Sequence, residues 1–186
     1  ISTKRNEFIF TAKDYDDFID CPIELGCHES DGFMAFGKEH YVTFYGEQYA
    51  HDNDLKADIK KIVETIGAHF NRIPYESYLF MTHFKRNLFG GLEHKNSTAL
   101  QFDGRKLGNR EDYINWLCLV SHEYFHTWNV KRIRPLELGP FDYRNENYTR
   151  MHWLTEGLTS FMDELLVYRS GLITIEEYLN MQTKNL

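Results

Sequence analysis

Residues 113–130 set the strongest limit on what this chain can fold into. Their apolar positions recur at helical spacing, Asn109 precedes them as an N-cap, Glu111 and Asp112 suit a first turn, and Pro135 closes the run. A helix this apolar needs burial around most of its circumference, yet His122, Glu123 and His126 stand in its second half. The rest of the chain has to cover the helix while leaving those three groups accessible to some partner.

The flanking segments supply the cover. Residues 32–37 and 40–45 are β-rich runs short enough to pair as a hairpin. From Asp52 the period changes, and Leu55, Ile59, Ile62, Val63, Ile66 and Phe70 describe an amphipathic helix ending before Pro74. Residues 75–84 and 98–102 read as further strands, residues 7–11 as a short apolar run, and residues 14–20 as an acidic turn closed by Pro22. Past the long helix, residues 136–149 are loop-like, residues 152–169 form a second helix with Gly171 beyond its end, and Thr174 with Glu177 makes a capping box for a third. Strands first and helices after predict one α+β domain over residues 1–186, strand-rich to about residue 108 and helical from about residue 109.

Composition narrows the partners. The net charge is -7 over 186 residues, so a nucleic-acid surface, which needs a basic excess, is disfavoured. No apolar run approaches the length of a membrane span. Cys21, Cys27 and Cys118 make an odd count without a CxxC pair, which argues against a disulfide framework or a cysteine metal site. The first residue is Ile1, so the expectation is a processed protein or a piece of a longer one, and the compartment stays open.

His122-Glu123-Tyr124-Phe125-His126 is an HExxH pattern. On a helix the two imidazoles lie one turn apart on one face and can address one zinc ion, while Glu123 is displaced far enough to reach a water instead. That is the arrangement for metal-assisted hydrolysis with a carboxylate as general base. A third ligand is required. The extended HExxHxxGxxH form fails, because Asn129 and Arg132 occupy its Gly and His positions. Glu156, at the start of the next helix, is the candidate; His152 is the runner-up, and Ser160 is placed to steady a ligand by a hydrogen bond.

HEYFHTWNVKRIRP, then WLTEGLTSF, and before both Gly90-Gly91-Leu92-Glu93-His94, resemble the glycyl aminopeptidase family of gluzincin zinc metallopeptidases. The match covers roughly residues 84–171, and residues 14–26 more loosely. The resemblance implies a thermolysin-like domain, a mixed sheet followed by a helical lobe, with the HExxH helix at the junction beneath an edge strand. It implies one zinc held by His122, His126 and Glu156, Glu123 as general base, and Glu93 as the anchor for a substrate's free α-amino group. Gly90 and Gly91 would let the substrate backbone come close. The implied reaction is removal of small N-terminal residues, Gly or Ala, from peptides; an endopeptidase of the same fold and an incomplete zinc-binding fragment are the alternatives. The family also carries a β domain and a PDZ-like domain, for which this length has no room, so part of the 16% aromatic content is expected to be surface that such domains cover.

Other residues take quieter roles. Lys131, Arg132 and Arg134 are expected to complement the C-terminal end of the zinc helix. Tyr143, Tyr148 and Tyr168 are available to steady an oxyanion but read as structural, and His28, His40, His51, His69 and His83 are scattered.

Overall fold

The computed structural model describes residues 9–47 and 53–184; residues 7 and 8 of the first apolar run and Asp52 lie outside it. Strands β1 (Glu29–Ala35) and β2 (Lys38–Gly46) form the expected hairpin. Phe36 and Gly37, between the paired Ala35 and Lys38, take φ of 52° and 69°, the positive values that match a two-residue turn to the strand twist. The acidic stretch expected as a turn contains a short helix, α1 (Tyr15–Ile19), because the Asp14 carboxylate accepts the Asp17 amide at 2.8 Å.

Helix α2 (Leu55–Phe70) follows, capped by Asp54 and ended by Asn71 in the left-handed conformation. Three more strands complete the sheet: β3 (Ser77–Phe84), β4 (Phe89–Glu93) and β5 (Ser97–Phe102). Their order is β1-β2-β3-β5-β4, with β2, β3 and β5 parallel and the two outer strands antiparallel to their neighbours. Residues 89–93 carry no strand signal in the sequence, since two glycines have little β preference. The ladder to β5 orders them instead, Gly90 opposite Gln101 and Gly91 opposite Leu100.

The helical half is α3 (Arg110–Phe125), a π-helical turn (Trp153–Gly157) running into α4 (Leu158–Arg169), and α5 (Ile175–Lys184). Asn109 caps α3 as expected, accepting the Asp112 amide at 3.0 Å. The capping box of α5 is reciprocal: Thr174 Oγ1 accepts from the Glu177 amide, and the Thr174 amide donates to Glu177 Oε2. Helix α3 stops at Phe125 rather than Val130. Thr127 and Trp128 turn back to carbonyls only three residues away, and the Arg132 guanidinium takes the Thr127 carbonyl at 2.8 Å. Val42, Tyr78, Phe80, Leu100 and Phe102 of the sheet share one buried cluster with Ile59, Val63 and Ile66 of α2 and Leu117, Val120 and Tyr124 of α3. Many aromatics serve this core; others, among them Tyr15, Phe18, Phe89 and Trp153, are exposed.

A polar chain crosses the core beneath α3. His40 is fully buried; its Nδ1–H donates to the Lys38 carbonyl and its Nε2 accepts from Tyr75, whose hydroxyl also meets that of Tyr124. Burial holds His40 down at about 4, against an ordinary 6.5. The fold therefore prefers the neutral ring, and between those two values protonation favours the unfolded chain. Unfolding free energy from urea titrations is expected to fall on acidification through this window, His40 contributing at most about 1.4 kcal/mol per pH unit. His40→Gln should flatten that dependence; an equally steep slope in the variant would remove His40 from the account.

Candidate active site

Three elements converge at the C-terminal end of α3. The helix presents His122, Glu123 and His126, β4 lies alongside with Gly90, Gly91 and Glu93, and the π-helical turn brings in Glu156. His122 Nε2 and His126 Nε2 stand 3.4 and 3.5 Å from the same oxygen of Glu156. Donor atoms around a tetrahedral zinc with bonds of about 2.1 Å are separated by about 3.4 Å, so this spacing fits the ion. A second grouping of ligand-type atoms, Glu93, Glu123 and His126, overlaps the first.

Each imidazole is held from behind. His122 Nδ1 bonds the Asp163 carboxylate and His126 Nδ1 the Asn129 carbonyl, both at 2.7 Å, which leaves the two Nε2 lone pairs facing Glu156. Burial opposes a charge on His122, but the Asp163 hydrogen bond and charge outweigh it and raise its pKa. His126 is shifted the other way, chiefly by burial, toward the neutral ring. Asp163 is pushed up to about 6 by its own burial. Sequence reading gave this supporting place to Ser160, which is exposed; Asp163, one turn further along α4, holds it. The signal was a faint one, an acidic residue two turns after Glu156 on the same helix, with Glu164 beside it as an equal candidate. His152 stands apart, exposed, with Nδ1 3.3 Å from Thr155 Oγ1 and outside both ligand groupings.

Glu123 has the chemistry of a base. It is buried, its Oε2 has no hydrogen-bond partner, and burial pushes its pKa up to about 7, with Glu93 and Glu156 adding to the rise. The backbone of β4 runs directly against it: a Cβ on Gly91 would lie 2.4 Å from Glu123 Cγ and 2.5 Å from Oε1. Gly90, at φ 151°, uses the freedom glycine alone has there. Beyond Glu93 opens a cleft of about 420 Å³ walled by Ile19, Leu92, His94, Lys131 and Phe141. The nearby cations are not alike. Arg132 bonds the carbonyls of Pro74, Lys95 and Thr127, Lys131 pairs with Asp20 at 2.6 Å, and Arg134 lies over the Phe141 ring. Only Arg132 meets the expectation of serving the end of α3. The hydroxyls of Tyr143 and Tyr148 bond Asp16 and Glu146, and Tyr168 stacks on Tyr178.

A family model described as M61 glycyl aminopeptidase matches residues 115–186. A crystal structure of an aminopeptidase N family protein from Idiomarina loihiensis aligns with a TM-score of 0.85 and 38% identity, over 90% of this chain and 30% of that one. Over residues 115–186 the chain is similar to the M61 glycyl aminopeptidase family. The chain spans less than a third of the length of that structural relative. No functionally curated protein matches it.

The glycine of β4 offers a test. Gly91→Ala should displace the Glu123 carboxylate, lowering by on the order of 100-fold the turnover of whatever reaction Glu123 serves, while the melting temperature changes little. Unchanged turnover would mean that the contact between β4 and Glu123 has no catalytic weight.

Proposed function

We propose that this domain hydrolyses peptide bonds with one zinc ion and acts on free N-termini, releasing small residues such as Gly or Ala. The observation that carries the reading is the approach of His122 Nε2 and His126 Nε2 to within 3.5 Å of one Glu156 oxygen, next to the buried Glu123 carboxylate with its unpartnered Oε2. By this reading His122, His126 and Glu156 hold the metal. Bound zinc supplies a Lewis acid that makes water nucleophilic near neutral pH. Glu123, with its raised pKa, accepts the proton of the attacking water and returns it to the departing amine.

Glu93 gives the exopeptidase direction. Its carboxylate lies in one group with Glu123 and His126, on the edge strand across from the metal ligands. A substrate ammonium there would be paired, whereas an internal peptide would leave the carboxylate without a counter-charge. The preference for Gly follows the word glycyl in the family description, and Ala is the next smallest side chain. The architecture supports a thermolysin-like arrangement, with the HExxH helix between an edge strand and a helix bearing an acidic ligand.

Metal analysis of the purified chain is expected to find about one zinc per molecule, and His126→Ala should lose it without unfolding. Glu123→Gln should retain zinc and lose hydrolysis of Gly- and Ala-anilides; retained turnover would overturn the general-base role. Peptides with blocked N-termini should be cut far more slowly than free ones, and Glu93→Ala should narrow that difference. Equal cleavage of both would favour an endopeptidase, and zinc binding with no cleavage a metal-binding module.

A further inference from the structure

Asn129 occupies the position where the extended HExxHxxGxxH form requires glycine. Its side chain is almost wholly buried, and its amide donates to the Leu154 carbonyl at 3.0 Å, to Thr159 Oγ1 at 3.1 Å and, more distantly, to the Thr155 carbonyl at 3.4 Å. All three acceptors belong to the turn that carries Glu156 or to the first turn of α4. Its main-chain carbonyl meanwhile takes the Nδ1–H of His126.

The turn explains why such a residue is needed. Residues Trp153–Gly157 are π-helical, and the Leu158 amide reaches back to the Trp153 carbonyl. In an α-helix that amide would serve Leu154, so the widened turn directs it away from the Leu154 carbonyl. A carbonyl shielded from water is costly to leave without a donor. Asn129 supplies the replacement. Thr159 completes the patch by donating from Oγ1 to the Thr155 carbonyl at 2.6 Å while accepting from Asn129.

We infer that Asn129 is a positioning residue that couples two metal ligands, orienting His126 through its carbonyl and holding Glu156 in register through its amide. The inference rests on the reading of Glu156 as the third ligand. It touches neither substrate nor metal; its action is to make the π-helical turn, and so the rotation that brings Glu156 to the His pair, the stable conformation of that segment.

The test uses the 186-residue chain, zinc affinity by competition with a chromogenic chelator, and the visible spectrum of the Co²⁺-loaded protein. Asn129→Ala is expected to weaken zinc binding by about 10–100-fold and to shift the Co²⁺ bands in the direction seen for Glu156→Gln. Asn129→Asp keeps the shape but turns an acceptor toward two carbonyls, and should weaken binding at least as much. Thr159→Val removes one acceptor and should weaken it by a few-fold, which keeps the inference testable if the Asn129 variants do not fold. Wild-type affinity and an unshifted Co²⁺ spectrum in folded Asn129→Ala, alongside a weakened Glu156→Gln, would overturn the coupling and leave the ligand set standing. Undiminished affinity in Glu156→Gln would overturn the ligand reading and this inference with it.

Discussion

His122, Glu123 and His126 sit on a helix buried along most of its length, and removing such groups from water is costly unless the protein replaces the lost partners. The surroundings of α3 answer that constraint group by group. Asp163 and the Asn129 carbonyl satisfy the rear nitrogens of the two imidazoles, and Glu156 faces the front ones. Of the three, Glu123 is the one left with a buried oxygen that has no hydrogen-bond partner. An unpartnered carboxylate oxygen is costly to bury, and the position of this one, between the His pair and the edge strand, suits proton transfer.

The same constraint explains how the sheet and the helical lobe are joined. Arg132 links the end of α3 to the carbonyls of Pro74 and Lys95 and to the Asn96 side chain, so the chain just before β3 and the turn between β4 and β5 are tied to the helix carrying the ligands. Asn129 ties the same helix end to the start of α4. Two neighbouring polar residues thus fasten α3 in opposite directions. Directional bonds of this kind fix relative placement more sharply than apolar contact, which is indifferent to small slides.

Much of this was legible in the chain. The hairpin, α2, α3 and α5 announce themselves through periodicity and caps, because those signals are local: Asn109 and the Thr174–Glu177 box act within one turn. The HExxH pair and Glu156 were legible as chemistry, and the structure brings them together. What escaped depends on partners distant in sequence. Strand β4 exists by virtue of β5, and its Gly-Gly pair carries no strand preference of its own. The π-helical turn has a helical residue pattern; the reach of the Leu158 amide to Trp153 sets it apart, and the bond that Asn129 makes to Leu154 comes from a residue distant in sequence. Asp163 was passed over for Ser160 because one-turn spacing is the commoner expectation, whereas the wider turn after Trp153 rotates the later residues of α4.

Strand β4 borders the sheet, and an edge strand usually invites pairing with another chain. Long, flat, β-branched edges aggregate; β4 is five residues long, and two of them are glycines. The absence of side chains that admits Glu123 also deprives a would-be neighbour of the cross-strand contacts that make such pairing stick. The site thus keeps an open peptide edge beside its reactive groups at little risk of its becoming a seed for self-association.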